Sequence, residues 1–209
     1  MAMLTQRRAF LALPFLAACA NEQPAGPFVP PGPPSYGHLT PLRLKVGTLD
    51  IKEPSSGTAM LVEQPAPINP TELLLRMARE RLSATGGAQS ARFLVQTARL
   101  TREAASAGGI FSPASEIFRC VMRCQVEIIS ADDVTIGSAA AEVRREVTGP
   151  TRNDTERAQL AERVVKLAGQ DMNVEFEFQL RRHLRNWLQL VAGPGETLPQ
   201  PVEQEALPL

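Results

Sequence analysis

The sequence is poor in residues that enzymes use for acid and base chemistry. It has only two histidines, and neither is placed as an oriented base: His38 stands in a proline-rich stretch and His183 among arginines. It also lacks a glycine-rich phosphate loop, a histidine spacing typical of metal sites and a nucleophile elbow. Convergence of distant carboxylates is the remaining route to a catalytic site. The sequence therefore predicts a non-catalytic protein without a cofactor or a metal.

Excess charge and long apolar runs are also lacking. The chain has 22 basic and 22 acidic residues, so its formal net charge is zero and nothing indicates a nucleic-acid partner. Arginine outnumbers lysine 19 to 3, a bias that we attribute to the composition of the source. The apolar run at residues 9–18 is ten residues long, about half of what a membrane-spanning helix needs. A retained transmembrane helix is therefore not expected.

Cysteine is scarce, with three residues in the chain. Cys120 and Cys124 fall in the segment 118–128, where apolar and polar side chains alternate with the period of a half-buried strand. Both thiols then face the core. Residues four apart in a strand have Cα atoms about 13 Å apart, beyond the roughly 7 Å limit for a disulfide. We therefore predict two buried free thiols that bind no metal.

The N-terminus, in contrast, carries a recognisable signal. Arg7 and Arg8 precede the apolar run 9–18, and small residues precede Cys19, which is typical of a cleaved export signal. The stretch Leu16-Ala17-Ala18-Cys19 resembles the lipobox of bacterial lipoproteins. The resemblance implies cleavage before Cys19, a diacylglycerol on its thiol and usually a third acyl chain on its new amino group. A plain secretory signal with an incidental cysteine is the alternative.

Lipidation of Cys19 would determine where the protein is located. Two or three acyl chains hold a protein stably on a membrane, whereas one is marginal. Ala20 rather than aspartate follows the cysteine, and resemblance to the enterobacterial sorting rule then implies the outer membrane, facing the periplasm. Residues 6–11 also resemble the twin-arginine motif for export after folding. The same two arginines suit the general secretory route, so both routes stay open.

The sequence divides into four regions. Residues 1–18 are the predicted signal peptide. Residues 19–41 contain seven prolines and predict an extended tether with a reach of roughly 60 Å. Residues 42–191 show the apolar periodicity of a folded region and suit one domain. Residues 192–209 lack periodicity, and we predict that they are disordered.

Apolar periodicity and capping signals predict the order of elements in the domain. Strands are predicted at residues 42–52, with a bulge at Gly47, and at 91–102, 118–129 and 135–147; helices are predicted at 70–84 and 155–191. This β-α-β-β-β-α order predicts an α+β fold, a two-layer α/β sandwich with a long C-terminal helix packed on a mixed sheet. The strand 91–102 needs a bulge or burial on both faces. The long helix either bends near Gly169 or overhangs the sheet.

Two groups of side chains are candidate contacts with a partner. Arg181, Arg182 and Arg185 cluster near the end of the long helix, where cations complement the helix dipole. They also suit a lipid headgroup or an acidic partner. Ile110 and Phe111 form an apolar pair at the tip of a loop, and they either bind a partner or fold back onto the core.

The element order over residues 42–191, together with the anchor at Cys19, resembles small envelope lipoproteins of the ABC-transport auxiliary and lipopolysaccharide-assembly types. The resemblance implies a membrane-anchored adaptor or accessory subunit of an envelope assembly or transport system, with another envelope protein as its partner. Only Cys19 carries over as a functional residue. The alternative is a carrier that binds a lipid or another apolar ligand between helix and sheet. A dry, packed interface favours the adaptor, and an apolar cavity of roughly several hundred Å³ favours the carrier.

Overall fold

A computed structural model describes residues 32–54, 57–110 and 112–189. The predicted lipobox with Cys19, the first part of the tether, Phe111 and the tail 192–209 lie outside the described residues.

The described chain forms six strands and two α-helices. In chain order they are β1 (Leu42–Leu44), β2 (Thr48–Lys52), α1 (Pro70–Arg81), β3 (Leu82–Ala84), β4 (Ser90–Ser106), β5 (Ser115–Ile129), β6 (Thr135–Pro150) and α2 (Asp154–His183). A short 3-10 helix, Thr58–Met60, precedes α1. The main sheet has the order β2-β4-β5-β6, and β1 pairs with β3 in a small second sheet. Because β2 is parallel to β4 and the other neighbours are antiparallel, the sheet is mixed, and the predicted α+β sandwich is confirmed.

The first predicted strand is interrupted. Gly47 lies between β1 and β2, and a Cβ there would stand 2.6 Å from the carbonyl oxygen of Gly87. Only glycine permits this approach of two backbones. The chain leaves the small sheet at this point and joins the main one, so a single bulged strand over 42–52 is wrong. The alternation of apolar and polar side chains changes phase at Gly47 because β1 pairs with β3, whereas β2 pairs with β4.

Helix α1 begins where its capping signal predicts. Asn69 Oδ1 accepts a hydrogen bond from Thr71 N at 2.8 Å, and Pro70 occupies the first turn, where its missing N–H costs nothing. The predicted end near residue 84 is wrong, because Leu82–Ala84 leave the helix to pair in parallel with β1. Tertiary pairing has overridden the helical pattern there.

Strand β4 contains the bulge that one interpretation of its sequence required. Phe93 and Val95 are buried, the register shifts after Val95, and Ala98 and Leu100 are then buried on the same face. An extra residue, Gln96, restores the phase. Strand β4 therefore buries one face, and it lies inside the sheet between β2 and β5.

Helix α2 is continuous over 30 residues. Asn153 Oδ1 accepts from Glu156 N at 2.9 Å and caps the first turn of the helix. The chain does not break at Gly169. Instead, a Cβ at Gly169 would lie 2.6 Å from Leu73 Cδ2, and the Gly169 carbonyl accepts from Tyr36 Oη at 3.1 Å. The glycine allows close packing. Tyr36 falls within the predicted tether, but it belongs to the core.

The long helix ends at His183, eight residues before the predicted end. Leu184 N still donates to the carbonyl of Leu180 at 2.8 Å, but the chain then turns. Leu188 forms an antiparallel bridge with Leu44 of β1. The apolar residues after His183 are buried because the chain returns to the sheet. Their spacing continues the helical pattern, and the sequence therefore predicts a longer helix.

Helix α2 lies lengthwise along β6. Near its start, Leu160 packs on Gly149, where a Cβ would stand 2.8 Å from Leu160 Cδ2. Just beyond its end, Leu184 packs on Gly137, where the corresponding distance is 3.2 Å. These two glycines let the helix approach both ends of the strand.

Small residues continue this close approach along the middle of the strand. Ala139 and Ala141 of β6 are buried under the helix, as their size predicts. Arg145, also on this face, forms an ion pair with Asp171 of α2. The helix is therefore positioned on β6 at both ends and at its centre.

The core between helices and sheet is filled by contacts between large side chains. The rings of Phe93 and Phe176 meet edge to face with centroids 5.9 Å apart, a favourable arrangement. Cys124 Sγ lies 3.8 Å from Met172 Sδ. Cys120 and Cys124 are both buried and free, so the prediction of two buried free thiols is confirmed.

The buried thiols make stability sensitive to alkaline pH. Burial raises the pKa of Cys120 and of Cys124 from 9.0 to about 12, so the folded state favours the neutral thiols. Their contribution is fully present below pH 9.0 and is lost as the pH rises toward 12. In urea unfolding at a series of pH values, Cys124→Ala should lower the loss of stability between pH 9 and 11 relative to the native chain. Val126→Ala, a truncation on the same strand that removes no titrating group, should keep the native dependence of the free energy of unfolding on pH. Equal pH dependence in all three proteins would show that the buried thiols do not cause the alkaline loss of stability.

Candidate functional site: a basic groove at the end of the long helix

The chain after α2 and the residues around β1 meet at one end of the sandwich. Two backbone hydrogen bonds join the segments, from Lys45 N to Trp187 O at 2.7 Å and from Gln189 N to Arg43 O at 2.8 Å. They flank the bridge between Leu44 and Leu188. Segment 43–45 is therefore held beside segment 185–189.

An open groove with a volume of about 600 Å³ lies where these segments meet the helix. We call it the basic groove, and its lining consists of Lys45, Arg181, Arg185, Asn186, Leu188 and Gln189. A hollow of about 70 Å³ shares three of these residues and adds Arg43. None of the described lining residues of either space is acidic. The chemistry of the lining suits an anion.

Three of these cations are not neutralised by the protein itself. Arg43, Lys45 and Arg185 are exposed and form no ion pair within the part of the chain that the structure describes. Several other arginines are paired, as Arg119 is with Glu103 and Glu146. The charges at the groove are therefore open to an external anion.

A partly buried carboxylate holds the fourth cation, Arg181. Glu177 Oε1 accepts from Arg181 Nε at 3.0 Å and from Arg181 Nη2 at 2.8 Å. Glu177 Oε2 accepts from Arg81, whose side chain is only 2% exposed and which also donates to the carbonyl of Thr40. Glu177 thus links a buried arginine at the end of α1 to an exposed arginine at the groove, and this link limits the freedom of Arg181.

The basic cluster predicted from sequence is brought to the groove only in part. Arg181 and Arg185 line it, whereas Arg182 is exposed but does not. Arg43 and Lys45 were not predicted, because they lie about 140 residues before Arg181 and Arg185 in the chain and belong to a short strand and its end. Their position at the groove depends on the pairing of Leu44 with Leu188, and no local sequence pattern predicts that pairing.

The second predicted contact is at the other end of the helix. Ile110 is 95% exposed, so it does not fold back onto the core, while Phe111 lies outside the described residues. Thr151 N donates to Ala114 O at 3.0 Å, which places the β4–β5 loop beside the start of α2. Ile110 and the basic groove are therefore separate features.

Within residues 32–54, 57–110 and 112–189, no three His, Cys, Asp or Glu side chains are grouped as a metal site would require. Neither helix in this part of the chain combines the length and the apolar character needed to cross a bilayer.

The link through Glu177 leads to a prediction about stability. Glu177→Ala leaves the buried charge of Arg81 without its carboxylate, and it should lower the free energy of unfolding by about 2 kcal/mol. Arg81→Met removes the charge but keeps most of the volume, so it should cost less. Glu175→Ala, on the same helix, should change stability by no more than about 0.5 kcal/mol. Urea unfolding of the three variants checks the order, and a larger loss for Arg81→Met than for Glu177→Ala would contradict it.

No protein-family model matches the chain, and no curated protein matches its sequence. Among solved structures, it is similar to a minor lipoprotein from Acinetobacter baumannii, with 16% identity, a TM-score of 0.36, and coverage of 68% of this chain and 96% of that one. The uncharacterized lipoprotein B from Nitrosomonas europaea shows 17% identity, a TM-score of 0.35, and coverage of 68% and 91%. A Xanthomonas campestris protein shows 12% identity, a TM-score of 0.37, and coverage of 72% and 97%. At TM-scores below 0.5, these likenesses assign no family and no function to the chain.

Proposed function

We propose that the protein is a lipid-anchored periplasmic lipoprotein that works as a non-catalytic adaptor in an envelope assembly or transport system. In this role, the basic groove binds an acidic segment of a partner protein. The observation that carries the proposal is the set of unpaired cations at this place: Lys45 and Arg185 line the groove, and Arg43 lines the adjoining hollow. Complementary charge across an interface steers association and fixes the orientation of the partners.

The shape of the groove favours a protein segment over a membrane surface. The groove is concave, and Leu188 contributes apolar surface between the cations. The side-chain amides of Asn186 and Gln189 can donate to and accept from a peptide backbone. Membrane surfaces attract basic patches through their net negative potential, and neither a hollow nor paired amides is needed for that attraction. An extended acidic segment uses all three features.

The packing of the domain favours an adaptor over a carrier of apolar ligands. Large side chains fill the space between α2 and the sheet, including Phe93 against Phe176 and Cys124 against Met172. The basic groove is lined by residues at the end of α2, and another described groove is lined by residues of the open sheet face. Neither opens between helix and sheet, where a carrier would hold its ligand.

The lipid anchor rests on the lipobox that ends at Cys19. Cys19→Ala removes the thiol that would carry the diacylglycerol, so the variant should lose lipid labelling and leave the membrane fraction. Metabolic labelling with a fatty acid, followed by cell fractionation, measures both effects. The native chain should fractionate with the outer membrane. A variant that still incorporates lipid, or a native chain in the inner membrane, would contradict the anchor or the location respectively.

The groove is tested by reversing its charge. Lys45→Glu with Arg185→Glu should lower the recovery of the partner at least about tenfold, because each reversal replaces an attraction by a repulsion. Recovery is measured by photo-cross-linking from position 186 in intact cells. Arg76→Glu with Arg79→Glu, the same charge change on the exposed face of α1, is the matched control and should leave recovery unchanged.

Two outcomes would contradict this role. Equal recovery from the groove variant and the control would exclude the basic groove as the binding site. If the groove variant keeps its protein cross-links but loses binding to vesicles of phosphatidylglycerol and phosphatidylethanolamine, the groove is a headgroup site instead.

A further inference from the structure

Strand β6 is a long edge strand. It has 16 residues, pairs with β5 on one side, and pairs with no other described segment on its outer side. Such an edge presents a row of unpaired N–H and C=O groups that can template pairing with another strand. Proteins commonly blunt an edge by keeping it short or by placing proline in it. Here the only proline is Pro150, at the end of the strand.

An apolar stripe on α2 accompanies this edge. Its members are exposed and share one side of the helix, with spacings of seven and four residues; they are Leu167 (38% exposed), Val174 (69%) and Phe178 (52%). We call them the helix stripe. Asp171 stands on the same side and pairs with Arg145 of β6, whereas Gly169, on the opposite side, meets α1. The helix stripe therefore faces the outer edge of β6 and not α1.

The charges of β6 are self-complementary about Val143. Glu142 and Arg144 flank Val143, and both lie on the sheet face opposite the helices. When two copies of the strand pair antiparallel with Val143 on the two-fold axis, Glu142 of each copy lies directly opposite Arg144 of the other. Opposite charges in such cross-strand pairs are stabilising, and like charges are destabilising. Arg144 forms no ion pair within the described chain, so it is available for this contact.

The same axis brings the two helix stripes together. Val143 is midway between Gly137 and Gly149, and these glycines contact Leu184 and Leu160. Met172 is midway between those two leucines, so the axis passes the helix at about the level of Met172, inside the helix stripe. Paired strands lie about 4.8 Å apart, whereas packed helix axes lie about 8–10 Å apart. The two helices therefore meet through their stripes when each axis is displaced by about 2 Å from its own β6 toward β5, on which α2 also packs through Met172 and Cys124.

We propose that the outer edge of β6 and the helix stripe form a two-fold symmetric interface between two copies of this chain, with Val143 at the axis. The pairing joins the two main sheets into one continuous eight-stranded sheet. It satisfies the open edge, neutralises Arg144 and covers the three exposed apolar side chains of the stripe. One register of self-pairing achieves all three, which favours a second copy over an unrelated strand. The interface does not use the basic groove, and its test is independent of the proposed adaptor function.

Cross-linking in membranes from cells that express the full chain tests the register. In Val143→Cys, antiparallel pairing brings the two Cα atoms to about 4.5–5.5 Å, within the range for a disulfide. A non-reducing gel should show a covalent dimer after mild oxidation. Val121→Cys is the matched control, because Val121 lies on the open face of β5, one strand inward, and pairs with Arg144. That variant should stay monomeric on the gel, and so should the native chain, whose Cys120 and Cys124 are buried.

Charge exchange tests the chemistry in the purified full chain in detergent. Glu142→Arg alone and Arg144→Glu alone each place like charges opposite each other at two symmetric positions, so the dimer dissociation constant should rise at least about tenfold. The double variant restores opposite charges and should recover most of the native affinity. Val174→Glu should weaken the dimer as well. Analytical ultracentrifugation measures the dissociation constants of the native chain and of the four variants.

Three results would overturn the proposal. A native chain that remains monomeric at its highest soluble concentration excludes the dimer. Equal cross-linking of the two cysteine variants excludes the register. A double charge variant no tighter than the single ones shows that Glu142 and Arg144 do not face each other, and that the edge serves another partner.

Discussion

The close approach of α2 to the main sheet is the constraint on which the rest of the structure depends. Glycines at positions 137 and 149 leave room where the helix contacts β6, and Gly169 leaves room for Leu73 and Tyr36. Between the two glycines of β6, the small side chains of Ala139 and Ala141 also let the helix approach closely. Because interiors are packed as densely as organic crystals, the helix has one position on this surface. That position determines where the chain after His183 must turn, and therefore where the basic groove forms.

The placement of charge follows from the same arrangement. Arg81 at the end of α1 is buried because α2 covers it, and Glu177 of α2 supplies its carboxylate. The second oxygen of Glu177 then holds Arg181 at the surface. A buried ion pair contributes little net stability on its own, but here it couples the packing of two helices to the orientation of a side chain at the groove. The carboxylate of Glu177 therefore both pairs with a buried arginine and orients an exposed one.

The molecule separates its exposed features along the long helix. The basic groove lies at the C-terminal end, the loop with Ile110 lies near the N-terminal end, and the open edge of β6 runs between them. Three separate surfaces allow more than one contact to form at the same time, which is compatible with the proposed adaptor role.

The sequence by itself determined the fold class, both helix starts, the strands β5 and β6 and the buried state of Cys120 and Cys124, because these depend on local periodicity and capping. Only the tertiary structure decided where the first strand divides, where both helices end and which cations form the groove. At those places Leu82 and Leu188 leave helical patterns to pair with β1. Both leucines are buried in these pairings, and no local pattern encodes the identity of a distant partner.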